Sequence, residues 1–227
     1  MCSRYSLTSL HEAVRRVFGY ENEPAPFPPR YNIAPTQPVA IVRTSAANRR
    51  ELALVRWGLI PSWVKDPAAF STLINARAEG IAQKPSFRAP LRHKRCLVPA
   101  DGFYEWIGKP GAKRPHLLRP RSGGPMAFAG LYEQWMGADG SEMDSMAIIT
   151  VPASRAVSVV HDRMPAILPP EAFEAWLDCK TREPREVVHW LRPAPEDLLE
   201  IIEVGTRLNN PRNEGAELQT PVRTTLF

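Results

Sequence analysis

Proline constrains this chain more than any other feature. Twenty-four of its 227 residues are proline, about double the usual ~5% share. They are spread from Pro24 to Pro221 rather than gathered in a tail. Each removes a backbone donor and pushes the residue before it out of the helical region. Long helices are therefore excluded over most of the chain, which leaves short strands, turns and brief helices. Hydrophobic residues make up 44% and charged residues 23%, near the ~45–50% and ~25% of ordinary globular domains. A core can form, and the length suits one domain over residues 1–227 with no dividing linker.

Local patterns fill in the elements. Ser9-x-x-Glu12 has the form of a capping box, and Leu10, Ala13, Val14, Val17 and Phe18 follow at helical spacing. A helix is predicted over 9–18, stopped by Gly19. Residues 20–37 contain five prolines and read as loop. Pro38 to Thr44 and Glu51 to Trp57 read as a hairpin around Ala46-Ala47-Asn48. The run from Trp57 to Trp63 is a turn-rich apolar loop, and 73–83 is predicted to be partly helical. Arg95 to Ala100 and Phe103 to Ile107 read as strands joined at Asp101-Gly102. Further strands are expected at 115–118, 126–135 and 146–151, and short helices at 154–160, 171–178 and 183–191. Many short strands with few helices predict an α+β domain. Its core should be a curved, barrel-like, mixed or antiparallel sheet with short peripheral helices.

Several classes are excluded. No uninterrupted apolar run approaches the ~18 residues of a membrane span, and Met1-Cys2-Ser3-Arg4-Tyr5-Ser6 lacks the apolar stretch of a signal peptide. A cytoplasmic protein is expected, monomeric by default. Cys2, Cys96 and Cys179 form neither a disulfide framework nor a Cys-x-x-Cys pair, and the five histidines lie far apart. No metal and no cofactor is expected, and Cys96 and Cys179 read as buried thiols. Net charge is +5, unevenly placed. Residues 84–121 carry ten Lys/Arg against two Asp/Glu, whereas 171–203 carry nine acids against four bases. A basic segment of this kind is the footprint of a polyanion site. Trp57, Trp63, Phe103 and Trp106 lie near basic residues in sequence, which suits single strands with exposed bases. Each of them equally reads as core.

Cys2 is the residue with the most distinctive chemistry. If Met1 is removed, Cys2 becomes the N-terminus, with an amine and a thiol two carbons apart. Unperturbed, the amine titrates at ~7.7–8.0 and the thiol at ~8.5, so neutral amine and thiolate coexist near neutral pH. An aldehyde condenses with the amine to an imine, and the sulfur then closes a five-membered thiazolidine. No internal cysteine can do this. Taken alone, a cysteine at position 2 also reads as an accidental, frayed terminus.

Other blocks follow in order: Arg30-Tyr31-Asn32-Ile33-Ala34-Pro35-Thr36-Gln37, Trp57 to Trp63, Ile74-Asn75-Ala76-Arg77-Ala78-Glu79, Arg95 to Trp106, Ile148-Ile149-Thr150 and His161-Asp162-Arg163-Met164-Pro165. Behind a cysteine at position 2, this series resembles the SOS-response-associated peptidase (SRAP) family over nearly the whole chain. The resemblance implies a sensor and shield of abasic sites in single-stranded DNA, which crosslinks Cys2 to the opened sugar as a thiazolidine. It implies that Asn75 orients the sugar or the Cys2 terminus, that Glu105 shuttles protons, and that His161 is a second acid/base group. Without it, Glu105 reads as an ion-paired strand residue, His161 as a loop residue held by Asp162, and Asn75 as a cap or turn. For holding DNA, Arg4 and Arg77 offer planar, permanently charged forks, Asn32 is a further polar contact, and Trp63 is the stacking candidate. Arg88, Arg92, Lys94 and Arg95 would extend a phosphate track, although strand alternation forbids all four from facing one way. Ser3 stands where the family often has glycine. Val64 stands where a second aromatic often follows, with Phe70 as a substitute platform. The looser match at Val204 to Asn210 is given no chemistry.

Three activities fit these residues. One is crosslinking of abasic single-stranded DNA, with strand cleavage by β-elimination from the same imine as a companion. The second is a thiol peptidase built from Cys2, His161 and Asn75, limited to removing Met1. The third is a noncovalent reader of single-stranded DNA in which Cys2 is incidental.

Overall fold

The computed structural model describes residues 2–109 and 111–222. Its strands are β1 (Tyr5–Leu7), β2 (Arg30–Ile33), β3 (Pro38–Thr44), β4 (Arg50–Trp57), β5 (Asn75–Arg77), β6 (Arg95–Ala100), β7 (Gly102–Ile107), β8 (Arg114–Pro120), β9 (Met126–Met136), β10 (Glu142–Pro152), β11 (Arg163–Pro165), β12 (Ile167–Leu168) and β13 (Leu199–Glu203). The helices are short: α1 (His11–Phe18), α2 (Pro85–His93), α3 (Arg155–Ser158), α4 (Phe173–Leu177) and α5 (Pro184–Val187). No helix is long and apolar enough to cross a membrane among the described residues.

Five strands close on themselves in the order β10, β4, β3, β6, β9 and back to β10. Only the β4–β10 contact in this ring is parallel. Closure leaves the barrel without open edges, and β5, β11 and β12 attach to its rim strands. A second, antiparallel sheet runs β13, β8, β7, β1, β2. Edge-on aromatic contacts seat it on the barrel: Tyr5 lies 5.2 Å from Trp57 and 6.1 Å from Phe128, and Phe103 lies 6.0 Å from Phe128. All four rings are fully buried. Such pairs each add roughly 0.5–1.5 kcal/mol beyond their area burial. The α+β, barrel-like core expected from the proline-rich sequence is the architecture found.

The details differ where tertiary partners override local signals. The helix expected from Ser9 begins at His11, with Leu10 as N-cap and no side-chain cap. The Ser9 hydroxyl donates to Asp101 Oδ1 at 2.5 Å instead, and the Thr8 and Ser9 amides both donate to Asp101 Oδ2 at 2.6 Å. Asp101 is thus not a hairpin turn. It anchors the point where the chain leaves the barrel at β6 and enters the second sheet at β7. A side chain at Gly102 would lie 2.7 Å from Leu117 Cδ1 and 3.1 Å from the Leu118 carbonyl, so it would force the buried Leu117 side chain to shift.

Residues 73–83 are not helical. They form β5 and a set of turns, because β5 finds a parallel partner in β10. The proline-rich stretch ends in β2, which pairs with the short β1. Helix α2 was not expected, yet Pro85 sits at its start, where no donor is needed. Pro90 is buried inside the helix beside Phe87 and Leu91, so packing offsets the lost bond.

The fold removes Arg95 from the proposed phosphate track and leaves Arg88 exposed. Arg95 is 1% exposed. Its guanidinium donates to the carbonyls of Leu91 (2.9 Å), Trp176 (2.6 Å), Asp178 (2.6 Å) and Arg182 (3.1 Å). It lies 5.8 Å from the Trp176 ring. It therefore satisfies orphan carbonyls where α2 and α4 end, and burial draws its pKa down. Arg92 pairs with Glu183 at 2.6 Å and Lys94 pairs with Glu133. Replacing Arg95 with Met should lower unfolding stability by about 2–4 kcal/mol, since it strands several buried carbonyls. Urea denaturation reads this; an arginine serving only DNA would cost well under ~1 kcal/mol.

Candidate functional site

Strand β1 positions the chain's reactive end. Tyr5 lies opposite Phe103, and the Tyr104 amide donates to the Arg4 carbonyl at 2.9 Å. Continuing this antiparallel register sets Ser3 across from Glu105. Cys2 is not frayed: it is fully buried. Its carbonyl accepts a 2.7 Å hydrogen bond from Asn75 Nδ2, and its thiol points back to the Arg4 carbonyl at 3.8 Å. Burial, and then the charge of Glu105, push the thiol pKa well up. The resting sulfur is a neutral thiol rather than the partly ionised one expected of an exposed terminus.

Asn75 reaches Cys2 because of β5. Its parallel pairing with β10 sets Asn75 against Ile148, Ala76 against Ile149 and Arg77 against Thr150. Ala76 is buried, so Asn75 and Arg77 share the opposite face. Asn75 Oδ1 is buried with no hydrogen-bond partner among the described residues. An orphaned acceptor of this kind costs about 1–3 kcal/mol. Arg77 is exposed.

Glu105 is 4% exposed. Burial pushes its carboxyl up to about 7, assisted by the charge of Asp162 and opposed by Lys113. His161 lies just before β11, which pairs with β10 through Thr150, Val151 and Pro152. Its Nδ1 accepts from the Arg163 amide at 2.9 Å and lies 2.8 Å from Asp162 Oδ1. The two contacts suit different states, the amide a neutral ring and the carboxylate an imidazolium. Burial draws the His161 pKa down despite Asp162, and the Arg163 amide contact suits a neutral ring with its proton on Nε2. Asp162 and Lys113 act on both Glu105 and His161. Glu105 in turn acts on Cys2, and Asn75 touches it. The four residues share one site.

Arg4 stands beside it. Nη1 donates to Asn32 Oδ1 at 2.7 Å and to the Leu208 carbonyl at 3.1 Å, and the guanidinium lies 5.7 Å from the Trp106 ring. Asn32 is completely buried. Its Nδ2 is committed to the carbonyls of Leu208, Asn210 and Asn213. It therefore supports Arg4 from beneath rather than meeting a ligand at the surface. Trp106 Nε1 donates to Asn209 Oδ1 at 2.7 Å. A cavity of about 350 Å³ opens here, lined by Ser3, Arg4, Trp106, Gly111, Lys113 and Asn209. The 204–210 segment, to which sequence reasoning gave no role, is thus the bracket for Arg4. Its signal was the polar pair Asn209-Asn210 at a distance of almost the whole chain.

Trp63 is 58% exposed, which removes the core reading of that residue. Phe70 meets its ring edge-on at 5.8 Å. The loop is pinned behind them by Trp135 Nε1 donating to the Val64 carbonyl at 2.6 Å. A larger cavity of about 740 Å³, lined by Arg50, Tyr132, Asp178 and Cys179 among others, contains none of the four clustered residues.

Comparisons with known proteins match the chain over most of its length. The sequence profile of the SOS response associated peptidase (SRAP) family matches residues 1–211. The abasic site processing protein YoqW of Bacillus subtilis strain 168 is 38% identical, covering 96% of this chain and 98% of its own length. The abasic site processing protein HMCES of Gallus gallus is 36% identical, over 86% of this chain and 66% of that protein. A crystal structure of a protein from Bacteroides thetaiotaomicron superposes with a TM-score of 0.87 at 26% identity, covering 98% of this chain and all of that one.

The state of Glu105 has a stability consequence. A carboxyl whose folded pKa lies near 7 resists ionising in the fold, so its contribution is most favourable below the unfolded value of ~4.3 and worsens as pH rises to 7. Glu105→Gln should therefore stabilise the protein by on the order of 1–3 kcal/mol at pH 8 and by little at pH 4.5. Urea unfolding at the two pH values measures the difference; equal effects would contradict a raised pKa.

Proposed function

Because the chain belongs to the SOS response associated peptidase (SRAP) family, we propose that it processes abasic sites in single-stranded DNA by forming a thiazolidine crosslink through Cys2. It acts as a cytoplasmic monomer, one domain over 1–227, after losing Met1. The observation that carries this reading is the setting of Cys2. An exposed terminus would need no such arrangement, but this one is buried, its carbonyl is held by Asn75, and Glu105 beside it titrates near neutrality.

The chemistry balances on these groups. The abasic sugar opens as its C1′–O4′ bond breaks: the proton of the C1′ hydroxyl passes through water to O4′, which His161 polarises by donating its Nε2–H hydrogen bond. The Cys2 amine attacks the C1′ aldehyde. Glu105 takes a proton from that amine and returns it to the carbinolamine hydroxyl, which leaves as water. The thiol then adds to the imine carbon, and its proton ends on the nitrogen, so the net change is loss of one water. A carboxyl near neutrality suits both halves of such a shuttle. The neutral, buried thiol is protected until the imine is in place. Asn75 Oδ1 receives a sugar or amine donor. Arg4 and Arg77 hold the flanking phosphates, and Trp63 stacks on a neighbouring base. β-Elimination would start from the same imine, and the nearby sulfur competes with it by closing the ring. The neutral thiol argues against a thiol peptidase, whose nucleophile needs a depressed pKa.

Intact mass spectrometry with an abasic single-stranded oligonucleotide tests the proposal. The processed protein should gain the mass of the oligonucleotide less one water. Cys2→Ala and an N-terminally blocked protein should not give that stable product. No adduct from the processed, folded protein would overturn the reading and leave a noncovalent binder or a peptidase. Across pH, the crosslinking rate should rise through about 7 as Glu105 ionises, and Glu105→Gln should lose that inflection. Trp63→Ala should weaken binding to the oligonucleotide by roughly 1–3 kcal/mol, read by fluorescence anisotropy.

A further inference from the structure

The carbonyl of Thr150 joins two arms of the site. It accepts from the Ala78 amide at 2.9 Å, at the end of the arm that carries Asn75, and from Arg163 Nη2 at 2.7 Å, on the arm that carries His161. Arg163 also grips Glu79 with both ends of its fork, Nη1 to Oε1 at 2.6 Å and Nη2 to Oε2 at 2.9 Å. The guanidinium is 11% exposed, and Glu79 is half-exposed at 53%. This bidentate pair ties the turn after β5 to the start of β11. The backbone amide of Arg163 is also the group that donates to His161 Nδ1.

We propose that Arg163 is a positioning residue: locked by Glu79 and Thr150, it presents its amide to His161 Nδ1 and so keeps the ring proton on Nε2. This rests on the crosslinking role of His161 proposed above. A histidine that loses such a partner exchanges between tautomers and rotates, and only one of those arrangements offers Nε2–H to a sugar oxygen. The β10–β11 pairing fixes the strand from Arg163 onwards, and in the turn preceding it the Val160 and His161 amides donate to the Val157 carbonyl at 2.9 and 3.2 Å. The fork of Arg163 restrains that turn from the β5 side, and the Asp162 carbonyl, which accepts from the Ala153 amide at 2.9 Å, restrains it from β10.

Glu79 is the residue to change, because it is half-exposed and its removal leaves the core intact. Long-range ¹H–¹⁵N correlation spectra at pH 8 should show His161 protonated on Nε2 in the native protein and as a tautomer mixture in Glu79→Ala. Crosslinking at saturating abasic oligonucleotide should slow about tenfold, a part of the ~10²–10⁴ available to an acid/base group. The half-saturating oligonucleotide concentration should stay within about twofold, and Glu79→Gln should recover part of the rate. In a His161→Ala background the Glu79→Ala change should have no further effect. An unchanged tautomer in Glu79→Ala, or rate losses that multiply in the double variant, would overturn the proposal. A native protein that forms no adduct would sink the crosslinking reading instead, and the tautomer measurement would still stand by itself.

Discussion

The site depends on strand β10 being paired on both sides at its C-terminal end. On one side β5 runs parallel to it, and on the other β11 runs antiparallel, both reaching Thr150. A strand flanked in this way has no freedom to slide, because a one-residue slip would turn Asn75 and Arg77 into the core and Ala76 outward. Asn75 then fixes Cys2 through its carbonyl, and β1 continues the constraint by pairing with β7, which carries Glu105. Two sheets and three chain segments distant in sequence thus meet at one cysteine. The aromatic contacts between Tyr5, Trp57, Phe103 and Phe128 keep the sheets from shearing past one another.

Low polarity around these residues serves the chemistry and weakens the fold. Burial keeps the Cys2 thiol protonated, lifts Glu105 to about 7 and draws His161 down. Three groups whose ordinary values span ~4.3 to ~8.5 are thereby shifted from those values. The carboxyl is brought to where proton transfer works near neutral pH, whereas the imidazole is moved below its ordinary value. The same burial leaves Asn75 Oδ1 without a partner. Stabilisation comes from elsewhere, from the closed barrel and from Arg95, which engages four carbonyls at the far side of β6.

Much of this was legible in the sequence, and the exceptions share a cause. Alternating and continuous apolar runs identified β3, β4, β9 and β10, and proline density excluded long helices. The four clustered residues were reached only through the ordered series of motifs. Nothing in the local pattern of Glu105 or His161 distinguishes a proton shuttle from an ordinary polar residue. What stayed hidden was decided by partners far along the chain. Ser9 has a capping pattern, but Asp101 takes its hydroxyl; 73–83 has helical character, but β10 offers it an edge. Basic residues at 84–95 form a run in sequence that the fold splits, with Lys84 and Arg88 exposed. One is buried beneath helix ends, and two are paired with acids from 133 and 183. Charge counted along a chain ignores the acids that fold against it.

A nucleophile built from a chain terminus, as the proposed function requires, poses a particular physical problem. Ordering each terminal residue costs about 1–2 kcal/mol of backbone entropy, and a residue at the end has a neighbour on one side only to help hold it. Cys2 and Ser3 precede the first residue of β1, so the register that fixes Tyr5 fixes them only weakly. The bond from Asn75 supplies the missing restraint from across the site, at the carbonyl rather than at the amine or the sulfur. That choice of atom matters. The thiol has its own contact, to the Arg4 carbonyl, and it is long at 3.8 Å. A bond from Asn75 to the Cys2 carbonyl orders the residue without adding a second bond on sulfur, as the proposed crosslinking requires.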